Sequence, residues 1–347
     1  MSSTKPDVYE AAMRRALLLA ETVRGTTSPN PAVGAVILDE SGALVGEGAT
    51  APAGGPHAEV VALKDAGDRA RGGTAVVTLE PCSHTGRTGP CTEALLEAGI
   101  AEVYYAVTDP NPEAGGGADV LSEAGVKTVG GLLEHEAEHG ALHPWLHAVR
   151  SGRPFITWKY AATLDGRVAA EDYTSRWITA APARADVHQL RSRVDAILVG
   201  SGTVLADDPQ LTVRDDDGNL ADRQPLRVVL DRRHRTPTDA RVLDNAAETL
   251  VLDTAVVRFA LKALFDRGIR HVLLEGGPTV AGAFLEAESV DEVIAYLAPK
   301  LLGAGPHALG HAGITTIDEA VTLEIDEVSR LGDDVKIVGR PVWPEGE

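Results

Sequence analysis

The sequence predicts an α/β protein of two domains, each a mostly parallel sheet with helices on its faces. Three observations point there. The chain has 347 residues, beyond the size at which one hydrophobic core usually stops growing. Its composition, 44% hydrophobic and 24% charged, is that of an ordinary globular protein. Short β-rich runs alternate with helical patterns twice over, once before residue 130 and once after 155, and such alternation builds parallel sheets.

At the N-terminus, Tyr9, Met13, Leu17 and Ala20 recur at helical spacing and predict an amphipathic first helix. Asp7 and Glu10 precede its short apolar stretch and Arg14 and Arg15 interrupt it, which is not the pattern of a secretion signal. No apolar run approaches the roughly 20 residues that cross a bilayer. A cytoplasmic chain with reduced thiols is therefore expected. "AVGAVIL" (32–38), "GTAVVTLE" (73–80) and "AEVYYAV" (101–107) read as strands. "HAEVVALKDAG" from His57 and "CTEALLEAG" from Cys91 read as helices, the latter ended by Gly99. Between 130 and 155 the pattern loosens into a helix and an exit turn, and the domain boundary is placed near Ser151, dividing 1–150 from 151–347. A second alternating set follows, with "FITWKYAA", "AILVGSG", "PLRVVLD", "TLVLDT", "HVLLEGG" and "EVIAYLAP" as strands. "ARADVHQLRSRV" and "VRFALKALFDRG" are helices, and "RDDDGNLADRQP" (214–225) is a polar loop.

The formal charge of -19, from 51 acidic against 32 basic side chains, repels phosphate backbones and anionic lipid. General nucleic-acid or membrane binding is disfavoured; a local basic pocket for a small phosphorylated ligand is not.

Cys82 and Cys91 are the two cysteines of the chain, inside "EPCSHTGRTGPC" (80–91). A disulfide is disfavoured in a reducing compartment. His57-Ala58-Glu59 lies upstream, and His-x-Glu followed by Pro-Cys and a second Cys is the signature of zinc-dependent nucleobase deaminases. One imidazole and two thiolates, His57, Cys82 and Cys91, would hold Zn²⁺ and leave a fourth position open. The ion lowers the pKa of water there from about 15.7 toward about 7. Glu59, not itself a ligand, would move protons from that water to the ring and to the departing ammonia. Each feature alone is commonplace, since His-x-Glu usually starts a solvated helix and cysteines usually fill apolar cores. In this order and on these elements, they point to zinc.

Eight residues separate the two cysteines, where most deaminases of that signature have two. The stretch "TLEPCSHTGRTGPC", with "NPAVGAVI" and "PHAEVVAL" before it, resembles the deaminase domain of the bifunctional riboflavin-biosynthesis deaminase–reductases. The resemblance implies a cytidine-deaminase-like three-layer domain in which Asn30 reads the pyrimidine and His84 and Arg87 reach the base or the ribose phosphate. The sequence departs from that family after Gly48, where an aromatic residue and a substrate-reaching histidine give way to Ala49 and Thr50; Thr50 or a water would have to replace that contact.

In the second half no G-x-G-x-x-G occurs, which argues against a Rossmann domain but not against a nicotinamide cofactor. "WKYAATLDGRVA" (158–169), "GSGTVLADDPQLTVR" (200–214) and "LLEGGPTVAGAFLE" (273–286) each set a strand end against a Gly, Asp or Thr turn. Taken alone, the last reads either as a phosphate cradle at a helix start or as a turn with glycines for geometry. Together these stretches resemble the reductase half of the same family, which implies a dihydrofolate-reductase-like fold and NADPH. By that resemblance Ala161, Trp177, Thr203, Asp207 and the segment Gly277, Pro278, Thr279, Val280, Ala281, Gly282 and Ala283 hold NADPH, while Ser175, Arg191, Leu211, Arg214 and Glu275 hold the substrate. Arg191 and Arg214 suit a bidentate clamp on the ribose phosphate. Lys159 and Asp165 flank the expected hydride-transfer pocket, where either would supply the proton. Arg232 and Arg233, after the strand "RVVLD", are expected to select the 2′-phosphate of NADPH.

The resulting expectation is a bifunctional enzyme that takes a phosphorylated pyrimidine, uses Zn²⁺ and NADPH, and forms a homo-oligomer, as reductase domains of this type often pair. A single-activity member with one inactive domain, and a nucleic-acid or nucleoside deaminase fused to an unrelated reductase, are the alternatives.

Overall fold

A computed structural model describes residues 5–84, 89–112, 114–215 and 217–343. The chain forms two compact units, Met1–Gly152 and Arg153–Glu347. In the first, the elements run α1 (Lys5–Thr22), β1 (Gly34–Leu38), β2 (Leu44–Ala49), α2 (Ala58–Ala66), β3 (Thr74–Leu79), α3 (Cys91–Ala98), β4 (Glu102–Val107), α4 (Gly117–Glu123), β5 (Lys127–Val129), α5 (Glu134–Glu138) and α6 (His143–Ser151). The sheet order is β2-β1-β3-β4-β5. β3, β4 and β5 are parallel, whereas β1 runs antiparallel to both β2 and β3.

The sheet is therefore mixed rather than mostly parallel, because β1 and β2 form a hairpin. β2 escapes recognition in the sequence: "LVGEGA" has two glycines, a glutamate and little apolar alternation. Its glycines serve close approach. A Cβ on Gly48 would lie 2.4 Å from the Ala58 carbonyl oxygen of α2, and one on Gly34 would lie 1.9 Å from the Ala16 carbonyl oxygen of α1. Gly34 pairs with Ala49, and Ala35 pairs with Gly48. Neighbouring residues along a strand face opposite sides, so α1 and α2 cover opposite faces and the unit has three layers. Val36, Ile37, Val76, Val77 and Val103 fill its core.

In the second unit the elements are β6 (Phe155–Thr163), α7 (Ala181–Ser192), β7 (Ala196–Gly200), α8 (Ser201–Asp207), β8 (Leu226–Leu230), β9 (Thr249–Leu252), α9 (Val257–Asp266), β10 (His271–Leu274), α10 (Pro278–Glu286), β11 (Glu292–Ala298), β12 (Thr322–Leu331) and β13 (Asp334–Val342). The sheet order is β12-β13-β11-β6-β10-β7-β8-β9. From β11 to β9 all neighbours are parallel; β13 and β12 close the other edge antiparallel. Alternate residues feed opposite cores: Leu198, Val228 and Val272 pack on one side, and Ile197, Val199, Val229 and Leu273 on the other. The β12–β13 hairpin lies outside the runs read as strands, because "TLEIDEVSRL" mixes charge into a strand exposed along nearly its whole length. Among the described residues no helix is long and apolar enough to cross a membrane.

Replacing Gly34 with Ala should force α1 away from β1. We expect it to cost at least about 1–3 kcal/mol, the range for overpacking a core, read as a lower midpoint of denaturant unfolding.

Candidate active sites

In the first unit three donor atoms converge. The ligand atoms of His57, Cys82 and Cys91 all lie within 4.8 Å of one another. His57 Nδ1 is 3.3 Å from Cys91 Sγ and 3.6 Å from Cys82 Sγ. With Zn–S near 2.3 Å and Zn–N near 2.0–2.1 Å, two donors of a tetrahedral ion stand roughly 3.5–3.8 Å apart. The donor set and its spacing fit zinc. Both cysteines are free and buried. The Cys91 side chain, together with the His57 ring, lowers the Cys82 thiol, while Cys82 and burial push the Cys91 thiol up; the pair shares a proton that a metal, which takes thiolates, would displace.

The fold explains the convergence. His57 is the N-cap of α2 and Cys91 the first residue of α3. Cys82 follows the carboxyl end of β3, where its loop is pinned by Thr92 N–H donating to the Cys82 carbonyl at 3.2 Å and by Ser83 Oγ donating to the Gly115 carbonyl at 2.9 Å. Glu59, in the first turn of α2, is only 4% exposed. Burial pushes its carboxyl above the usual range, so it can hold a proton closer to neutral pH than a solvated carboxylate does. Asn30 closes a turn whose backbone N–H donates to the Thr27 carbonyl at 3.0 Å. That turn leads into β1, and because β1 is antiparallel to β3 it lies at the same sheet edge as Cys82. His84 is exposed two residues beyond Cys82; Arg87 lies outside the described residues.

Sequence reasoning passed over Asp109. It follows the carboxyl end of β4, hydrogen-bonds the Asn111 N–H at 2.8 Å, and gives its own N–H to the buried carboxylate of Glu80 at 3.1 Å. Burial, with the Glu80 and Cys82 charges adding, pushes its carboxyl up to about 6. The strand end that carries it was legible in "AEVYYAV"; its burial was not.

The second unit contains a cavity of about 1190 Å³ at the carboxyl ends of the parallel strands. Lys159, Ala161, Ser175 and Trp177 line it, as do Thr203, Asp207, Leu211 and Arg214. Gly277, Pro278, Thr279, Val280 and Ala283 form the wall at the start of α10, and Gly277 N–H donates to Thr203 Oγ1 at 3.0 Å. Ser175 Oγ donates to Asp207 at 3.1 Å. Arg184 stacks over the Trp177 ring at 4.5 Å. Glu275 is the electrostatic centre: Arg191 Nε and Nη2 donate to it at 2.6 and 3.0 Å, and Lys159 Nζ at 3.4 Å. Burial alone would raise this carboxyl, but Arg191 and then Lys159 outweigh it and hold it at about 2.

A family model described as the cytidine and deoxycytidylate deaminase zinc-binding region matches residues 6–107, and one described as the RibD C-terminal domain matches 154–337. The riboflavin biosynthesis protein RibD of Mycobacterium tuberculosis is 51% identical over 94% of this chain and 95% of its own. That of Escherichia coli is 42% identical over 94% and 97%. A crystal structure from Thermotoga maritima, described as a diaminohydroxyphosphoribosylaminopyrimidine deaminase/5-amino-6-(5-phosphoribosylamino)uracil reductase, superposes with a TM-score of 0.90 at 35% identity, covering 98% of this chain and 100% of that one. The chain belongs to the RibD family. It is thus a bifunctional deaminase and reductase of riboflavin biosynthesis, with a cytidine-deaminase-like first domain and a RibD-type reductase domain after it.

Within this RibD chain the structure revises five sequence expectations. Thr50 is 2% exposed and its hydroxyl accepts from Val33 N–H at 3.2 Å, so it is committed to the β1–β2 hairpin and not to a substrate. Asp165 does not line the cavity. It accepts from Thr163 Oγ1 and from the N–H groups of Leu302 and Gly303, and these bonds hold it ionised at about 2; it ties a loop and is a poor proton donor. Ala281 and Gly282 are buried on the other face of α10, where a Cβ on Gly282 would lie 2.1 Å from the His311 carbonyl oxygen. Arg191 is not a free clamp: Glu275 occupies its Nε/Nη2 edge and Thr212 O accepts from Nη1 at 3.1 Å, which leaves two of its five N–H groups for a ligand. The stretch 200–214, expected to set a strand end against a turn, instead runs from β7 straight into α8.

Asp165→Asn should therefore leave reductase turnover within about twofold of wild type, whereas Lys159→Gln should depress it strongly. Single-turnover oxidation of the nicotinamide cofactor distinguishes the two.

Proposed function

We propose that residues 1–150 hydrolytically remove the 2-amino group of 2,5-diamino-6-(5-phosphoribosylamino)pyrimidin-4(3H)-one, and that residues 151–347 then reduce the ribosyl group of the product to ribityl with NADPH. The observation that carries the first step is the His57, Cys82, Cys91 cluster with buried Glu59 beside it. Zinc held by those three ligands supplies Lewis acidity, lowering the pKa of water. Glu59 takes a proton from the attacking water and delivers it to a ring nitrogen, then carries the second proton from the new hydroxyl to the amino group, which leaves as ammonia while the carbonyl forms. Asn30 and His84, at the same sheet edge, orient the base.

NADPH supplies the hydride of the second step. Thr203 and the Gly277–Val280 turn line the wall at the start of α10, where the positive end of the helix dipole supports a phosphate. Arg232 and Arg233 line the same cavity and support selection of the 2′-phosphate. Glu275 orients Lys159, the remaining proton donor, and Arg191; Ser175, Leu211 and Arg214 complete the substrate wall. We place the enzyme in the cytoplasm, where thiols stay reduced for metal binding, and as a homo-oligomer. Edge strand β12 supports pairing, with Ile325 50% and Val328 64% exposed.

Mass spectrometry of the pyrimidine after incubation with the purified protein tests the reading. An amino-to-oxo change is expected without NADPH, and two further hydrogens with it. The amino-to-oxo change alone would leave the second unit without its assigned reduction; no change, with zinc present, would exclude this substrate. Glu59→Gln should lower deamination roughly 10²–10⁴-fold with the zinc content unchanged.

A further inference from the structure

The reductase cavity contains a titratable side chain for which the sequence offered no role. His188 lies on α7 three residues before Arg191, on the same helix face, and both line the cavity together with Arg214. Its Nδ1 is buried, and the Thr212 backbone hydrogen-bonds the ring and fixes it in the cavity wall.

The cations around it are largely committed. Arg191 spends Nε and Nη2 on Glu275 and Nη1 on the Thr212 carbonyl, and Lys159 shares the same carboxylate. Arg214 is anchored by Gln210 Oε1 and the Gly218 carbonyl. A phosphate monoester brings a charge of about −1.5 to −2 at neutral pH, and one further cationic donor would match it.

We propose that His188 is a substrate-binding residue of this cavity, taking up a proton to become a cationic contact when a phosphate monoester docks beside Arg191 and Arg214. The inference rests on the reductase reading and deepens it. The charged groups facing the ring are Arg191 on its own helix, Glu275 after β10 and Arg214 in the segment after α8; Lys159 on β6 and Arg184 one turn earlier on α7 also line the wall. Burial first, then the Arg191 charge and that of Arg214, lower the His188 pKa, with Glu275 and the hydrogen bond to the Thr212 backbone opposing. The free site therefore holds neutral imidazole. A docked dianion reverses the sign of the local field and raises that pKa, so proton uptake and phosphate binding reinforce each other. Affinity increases as pH falls through the bound-state pKa and levels off below the free-state one. The phosphate's own protonation is common to wild type and variants and cancels in their comparison.

The test is calorimetry of ribose 5-phosphate binding to the full chain near pH 7.5, in two buffers of different ionisation enthalpy. Wild type, His188→Gln and His188→Asn are compared, with NADP⁺ binding as the check that the cavity is intact. Wild type should take up a fraction of a proton, and its affinity should increase about threefold more than that of either variant between about pH 8 and about pH 6.5. Proton uptake by wild type that does not exceed that of the variants overturns the proposal. Equal uptake in all three overturns it while leaving the reductase reading intact. NADP⁺ binding without ribose 5-phosphate binding overturns the phosphate subsite and the proposal with it; loss of both ligands in wild type overturns the reductase reading itself.

Discussion

Three side chains from three separate segments must meet within 4.8 Å in the first unit, and the layering around them serves that convergence. His57 stands where α2 begins, and α2 can lie against the sheet because Gly48 has no side chain in its path. Cys82 follows β3 and Cys91 opens α3, so the parallel β3–β4 pairing and the helix between its strands set the distance between the two thiols. Moving any one of these elements by the width of a methyl group would open the cluster. Glu59 depends on the same packing: two residues into α2 it is already buried, and its raised pKa is a consequence of where the helix sits.

The second unit solves a related problem with charge instead of metal. Glu275 is a buried carboxylate, and a buried charge persists only when paired. Arg191 and Lys159 provide the pairing and in doing so become fixed in direction. Preorganisation of this kind is what a hydride-transfer site needs, since the cofactor carries the chemistry and the protein supplies orientation. It also commits the Nε/Nη2 edge of Arg191 to the protein itself.

Much of this was legible along the chain. The strands at 34–38, 74–79, 102–107 and 155–163 and the helices at 91–98 and 181–192 follow from short β-rich runs, helix periodicity and Gly99 as a cap. The metal ligands were legible because residue type and order are chemical requirements of the ion. The hairpin strand β2 and the outer strand β12 were not, because the first is built from glycines chosen for contact and the second from charged residues on an exposed edge.

By itself the sequence determined which chemistries this chain can support, since donor type, spacing and the helix that follows are local properties. Tertiary structure alone decided which of those side chains remain at liberty to act. Glu275 is 84 residues from Arg191, and Gly303 is 138 residues from Asp165. Thr50 is 17 residues from Val33 across a hairpin. Whether a polar group faces a ligand or is already satisfied depends on partners that distant segments bring to it, and no local pattern encodes them.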